Sequence, residues 1–234
     1  RIRVFTRSQV TEHRGSVGAF RSIIATRVKG ADAPGLIHLE HGATIVATGG
    51  QEQRIGEYLL GKDPRVVSQQ QLEELLVQAP ERIAAMKQIV IIQCVTQPDK
   101  PEYCSRVCCT STMKNAARIK LLNPNCQVVV LYKNIITYGF REQYYTDARR
   151  RGVLFVRYTD ETKPRVEMMD ERGEMREWDL PPGDTFPKGL SVFTSLQVRA
   201  QEPVLKEELV FHPDLLVVST QVVPSEGTQK LAEI

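Results

Sequence analysis

Four of the five cysteines fall within sixteen residues, at Cys94, Cys104, Cys108 and Cys109, with Cys126 apart. Four thiolates meeting at one point suit an iron–sulfur cluster or a structural zinc. Disulfides fit the spacing less well. Adjacent cysteines have Cα atoms about 3.8 Å apart, below the ~4.4–6.8 Å usual for a bridge. A helical pair four residues apart holds its Cβ atoms about 5–6 Å apart, where a disulfide prefers ~3.5–4.5 Å. The paired CxxC knuckles common in zinc sites are absent, and buried inert thiols remain the plain alternative.

The elements around these cysteines decide whether they meet. IVIIQC (89–94) is a buried-strand run that ends on Cys94. SRVCCTSTMKNAARIKLL (105–122) reads as a helix stopped by Asn123-Pro124-Asn125, so Cys104 and Cys108 are expected on one helix face beside Cys109. QVVVLY (127–132), FREQYYTDARRRG (140–152) and VLFVRY (153–158) continue as strand, helix and strand. That alternation implies a parallel sheet with crossover helices, whose ligands bind beyond the carboxyl ends of the strands. Helix N-termini there favour thiolate charge.

Upstream, RIRVFTRSQV (1–10) and FRSIIATRV (20–28) read as a strand pair, and GADAPG (30–35) as a turn. The run Ala43–Ala47, closed by Thr48-Gly49-Gly50, suits a strand buried on both faces. Ser68 and Gln71 form a capping-box signature for a helix closed by Pro80. After Thr159, RVEMMDERGEMREW, a Pro-Pro-Gly turn and LSVFTSLQVRA suggest antiparallel strands, and DLLVVSTQVV (214–223) is a last apolar strand.

Composition narrows the function. The 234 residues are 41% hydrophobic and 25% charged, with a formal net charge of +3, as expected of one large or two modest globular domains. That balance gives no electrostatic case for nucleic acid, and no apolar run approaches a membrane span or a secretion signal. A cytoplasmic setting is therefore expected. Arg149-Arg150-Arg151 reads as a solvated helix end, TYGFREQYY (137–145) as an amphipathic helix start, and His13, His38, His41 and His212 as scattered. No Ser/His/Asp arrangement is apparent, so no catalytic residue is assigned. The junction QCVTQPDKPEYCSRVCC lacks the glycines with which a dinucleotide fold approaches a pyrophosphate. Thiolates stand in that place.

QCVTQPDKPEYCSRVCCTSTMKNA together with YKNIITYGFREQYYTDARRRGVLFVRY resembles the A-subunit family of CoB–CoM heterodisulfide reductase, an FAD and iron–sulfur flavoprotein. The likeness is strongest over residues 87–170; ATIVATGG and DLLVVSTQVVP match more loosely. It implies an α/β, thioredoxin-reductase-like fold of the FAD/NAD(P)-binding type, a parallel sheet with crossover helices plus antiparallel strands. It also implies that Cys94, Cys104, Cys108 and Cys109 bind a 4Fe–4S cluster, and that Thr48, Gly49 and Gly50 abut FAD in the complete protein. From composition alone that turn is an ordinary strand end. The implied organisation is partial FAD-domain-like segments at 1–50 and 205–234, a helical connection at 51–86 and a pyridine-nucleotide-type domain at 87–204. The implied role is electron relay between FAD and the cluster within a complex of other subunits, with self-association open. The family's amino-terminal Gly-rich FAD fingerprint is not in these residues, and Thr96 stands where the family has glycine. The chain is accordingly expected to be a fragment or a divergent version. From a different class, the alternative is a non-catalytic α/β interaction module with structural zinc or free thiols.

Overall fold

The computed structural model describes residues 2–27, 34–53, 55–98, 104–170, 194–204, 206–225, 227, 228 and 231. The Pro-Pro-Gly turn and most of the 30–35 turn lie outside them. The chain divides into two compact units, 1–51 with 224–234, and 52–223.

In the smaller unit, β1 (Ser8–Ser16), β2 (Ala19–Thr26) and β3 (Gly35–His41) form an antiparallel meander. Gly15 sits at φ 114°, and a Cβ there would lie 2.3 Å from the Ala19 carbonyl oxygen, so the tight β1–β2 end requires glycine. The run Ala43–Ala47 corrects its expectation. It forms no strand, and Ile45 and Val46 are 90% and 64% exposed. A doubly buried strand needs partners on both edges, and none pairs with this run among the described residues. The first strand also starts later than expected, at Ser8. A short strand, β4 (Gly50–Glu52), follows the run.

The larger unit is built on a five-stranded sheet of order β5-β12-β6-β7-β8, comprising β5 (Val66–Ser68), β6 (Gln88–Val95), β7 (Gln127–Tyr132), β8 (Leu154–Arg157) and β12 (Leu215–Thr220). Every neighbouring pair is parallel. Ile89 to Ile92 are fully buried, which explains their continuous apolar run: alternate residues face opposite layers. On one face Ile89 and Ile91 pack with Leu72, Ile83, Met113 and Ile119 from α1 (Gln69–Gln78), α2 (Pro80–Ala84) and α3 (Cys108–Leu122), together with Ala148 of α4 (Glu142–Arg150). On the other, Val90 and Ile92 pack with Met168, Leu196, Val198 and Phe211. These come from a second, antiparallel sheet of β9 (Arg165–Asp170), β10 (Thr194–Gln201) and β11 (Glu208–Phe211). The fold is α/β, a parallel sheet with crossover helices on one face and antiparallel strands on the other. A further short strand, β13 (Val222–Pro224), follows β12.

Residues 205–223, grouped in the sequence with 1–50, lie in the larger unit: β11 pairs with β10, and β12 enters between β5 and β6. The run LLVV, buried on both faces, belongs in the middle of a parallel sheet. The segment 51–86 likewise supplies the edge strand β5 and two covering helices.

Local chemistry fixes the helices. Ser68 accepts from the Gln71 amide and the Gln71 side chain accepts from the Ser68 amide, a complete capping box worth about 1 kcal/mol. Ser68 also bonds to the Glu52 carboxylate, which accepts from the Gln70 amide at 3.0 Å. Between α1 and α3, Gln69 donates to Thr112 at 2.7 Å and accepts from Asn115 at 2.7 Å, so three buried polar side chains satisfy one another.

Candidate functional site

The cysteines gather at the carboxyl edge of the central strands. β6 carries an irregularity there: Val218 stands opposite Ile92 and Thr220 opposite Val95, so Gln93 and Cys94 together face Ser219. This is a bulge, and Cys94 takes the left-handed φ of 60° that lets the strand absorb an extra residue. The Gln93 carbonyl accepts a hydrogen bond from the Tyr158 hydroxyl. Parity then shifts, since Ile92 and Val95 both pack against the antiparallel sheet although they are three positions apart. Cys94 is thereby placed at the cavity rather than continuing the core pattern.

The helix differs from its expected start. α3 begins at Cys108, with Val107 as its cap, and Arg106 at φ 61° is incompatible with an earlier helical turn. Cys104 therefore lies in the preceding loop, and the expected helical pairing of Cys104 with Cys108 does not exist. The two meet through the loop instead. Cys94, Cys104 and Cys108 line one cavity of about 190 Å³, with Ser105, Lys133, Asn134, Ser219 and Thr220 among its other walls. Cys109 is buried behind this wall, accepting from the Ile136 amide at 3.3 Å, with its sulfur 3.8 Å from the Asn134 carbonyl oxygen. Cys94 donates to the same carbonyl at 3.7 Å. Cys126 is buried in the core on the helical side of the sheet, away from this set.

The electrostatics divide the thiols. Cys108 is lowered to about 6 because the Cys109 thiol hydrogen-bonds to it, with further help from the Ser105 hydroxyl and the amides at the helix start. Its neighbour Cys109 is pushed up as the donor in that pair and by burial. Burial also raises Cys94, and raises Cys126 to about 11. Metal-free protein treated with iodoacetamide at pH 7 should therefore be alkylated at Cys108 well before Cys94 or Cys126. A depressed thiol is thiolate above its own pKa, so the Cys108 rate should be flat above about pH 7 and fall through pH 6. Peptide mass spectrometry across a pH range of about 5–8 checks this; a Cys108 rate still rising steeply at the alkaline end would contradict it.

Among the described residues no three His, Cys, Asp or Glu side chains already close on a single ion. The donor set nevertheless fits a thiophilic group: three thiols share one cavity, the fourth contacts one of them, and Cys108 is held below the ordinary thiol range.

Thr48, Gly49 and Gly50 lie in the smaller unit. The Thr48 carbonyl accepts from Ser225 at 2.8 Å, and its hydroxyl accepts from Thr228 at 3.5 Å. Thr48 lines a cavity of about 840 Å³ with Val10, His13, Ser22 and Leu231. Gly49 has φ 68° with nothing within 4 Å of where a Cβ would be, a backbone open to close approach. His41 bonds to Ser22 at 2.9 Å and to the Ala43 carbonyl at 3.0 Å. Two of the three arginines at the end of α4 are engaged: Arg149 lies over the Tyr145 ring and Arg151 pairs with Asp147 at 2.7 Å. Thr137 caps no helix and instead donates to Glu142 at 3.0 Å. No helix among the described residues is long and apolar enough to cross a membrane.

Fold and cavity together define an α/β domain with a thiol-lined site at the carboxyl edge of its parallel sheet. No protein-family model matches the chain. It is 39% identical over 140 residues to the A-subunit of the ferredoxin/F(420)H(2)-dependent CoB-CoM heterodisulfide reductase of Methanosarcina acetivorans, covering 53% of this chain and 18% of that protein. Over 225 residues it is 29% identical to the A-subunit of the H(2):CoB-CoM heterodisulfide,ferredoxin reductase of Methanothermobacter thermautotrophicus, covering 88% and 30%. Over 222 residues it is 30% identical to iron-sulfur A-subunit 1 of the CoB-CoM heterodisulfide reductase of Methanopyrus kandleri, covering 86% and 30%. The chain is thus a homologue of the heterodisulfide reductase A-subunit and spans less than a third of the length of these relatives. Among solved structures, thioredoxin reductase of T. acidophilum aligns with a TM-score of 0.45 at 12% identity, covering 93% of this chain and 53% of that one.

Proposed function

We propose that this chain is an electron-transfer domain of a heterodisulfide-reductase-like flavoprotein, in which Cys94, Cys104, Cys108 and Cys109 hold a 4Fe–4S cluster. The observation that carries the reading is the meeting of Cys94, Cys104 and Cys108 on one cavity wall, from a strand bulge, a loop and a helix start, with Cys109 directly behind. The cluster, when bound, supplies one-electron storage. The chain supplies its ligands, the Ile136 amide directed at Cys109, and a partly enclosed setting that limits water. Thr48, Gly49 and Gly50 are proposed to contact FAD in the complete flavoprotein, where the open backbone of Gly49 allows close approach. The partners would be other components of an electron-transfer complex, as the relatives' designation as one subunit of several suggests. No group of the chain makes or breaks a substrate bond in this scheme.

Anaerobic reconstitution with iron and sulfide tests it. The loaded protein should contain iron and acid-labile sulfide in equal amounts and absorb broadly near ~400 nm. Stoichiometric zinc in protein prepared anaerobically, or no metal after reconstitution, would overturn the cluster and favour an interaction module.

A further inference from the structure

Buried hydroxyls and amides in folded proteins nearly always have partners, so those that lack one mark strain or a missing ligand. Among the described residues five buried side-chain atoms are unpartnered: Gln53 Oε1, Gln93 Nε2, Thr110 Oγ1, Ser219 Oγ and Thr220 Oγ1. Their distribution is uneven. Ser219 and Thr220 line the cysteine cavity, while Gln93 and Thr110 are chain neighbours of Cys94 and Cys109. Ser219 and Thr220 are only 1% and 2% exposed, so water in bulk does not satisfy them. Ser219 is also the residue that stands opposite the Gln93–Cys94 bulge, so the distortion that presents the thiol lies beside it in the sheet.

We infer that Ser219 and Thr220 are hydrogen-bond donors reserved for the sulfur atoms of the group held by the four cysteines, and that they raise its reduction potential. The inference rests on the cluster reading and adds to it the residues that tune the site. Cysteine thiolate and inorganic sulfide both accept hydrogen bonds. Reduction adds negative charge to such a centre, and donors aimed at its sulfurs stabilise the reduced form more than the oxidised one. An apolar wall at the same place would leave the added charge unsupported. The end of β12 thus contributes no ligand and still sets how readily an electron is accepted.

Ser219→Ala, Thr220→Val and the double variant test this, with Ser219→Thr and Thr220→Ser as hydroxyl-retaining controls. Two readouts are needed, urea unfolding of the metal-free proteins and an EPR-monitored redox titration after anaerobic reconstitution. Without metal the hydroxyls have no partner to lose, so the unfolding midpoints should equal or exceed that of the parent. With iron content equal to the parent, the midpoint potential should be lower in each single variant and lowest in the double, and the two controls should restore it. Unchanged potentials at full iron content would overturn the assignment of the hydroxyls alone. A clear drop in the metal-free unfolding midpoint would do the same, by showing a structural role. A parent protein that takes up no iron would overturn the cluster reading and this inference with it.

Discussion

Cys108→Ala should abolish iron uptake: after anaerobic reconstitution the variant should show background iron and no absorbance near ~400 nm. Cys108 is held well below the ordinary thiol range, which favours the thiolate that binds metal. Three remaining thiols do not complete a four-cysteine ligand set. The metal-free variant should keep the far-UV circular dichroism of the parent, because Cys108 lies on the cavity wall and outside both core clusters. Its unfolding midpoint should no longer rise on reconstitution, since binding energy at such a site is also folding energy. Cys126→Ala, which alters the core and leaves the cavity untouched, should retain uptake. Full iron content in Cys108→Ala would remove this residue from the ligand set.

Ile91→Ala should have the largest effect on stability, about 2–5 kcal/mol by urea unfolding at unchanged pH. Ile91 is fully buried in the central strand, pairs with Val217 on one side and Val130 on the other, and faces the helical layer. Truncation removes its transfer energy and leaves a void that parallel neighbours on both sides hold open. That loss is a large part of the ~5–15 kcal/mol by which domains are usually stable. Val10→Ala on the smaller unit, at a side chain 39% exposed, should change stability by less than about 0.5 kcal/mol. A loss below about 1 kcal/mol for Ile91→Ala would mean that the sheet relaxes around the gap.

Much of this arrangement is legible in the chain because its signals are local. The capping box at Ser68 and Gln71 is formed, and β7 has the bounds its apolar run implies. The buried runs 89–94 and 215–218 form adjacent strands of one parallel sheet, as continuous apolar stretches should. The failures share a different cause. Ala43–Ala47 has the composition of a buried strand, but pairing is a property of neighbours and composition does not report it. Periodicity places Cys104 beside a helix face because helix propensity carries no warning of a left-handed residue such as Arg106. Ser219 and Thr220 end an apolar run and read as ordinary strand residues. Only the strand order, with β12 beside β6, brings them to the thiols, although the rule that ligands gather at carboxyl strand ends could have flagged them. The bulge at Cys94 likewise depends on a register between residues of β6 and β12, which are far apart in the chain.

The Asn134 carbonyl, which accepts from Cys94 and lies 3.8 Å from the Cys109 sulfur, has a consequence for how the site fills. It serves as a placeholder, engaged by the Cys94 proton while that thiol remains protonated. Ligation would remove that proton and leave the carbonyl without its donor. Loading the proposed cluster would then be an exchange in which thiol protons leave to solvent. Acid would oppose that exchange by returning protons to the thiols.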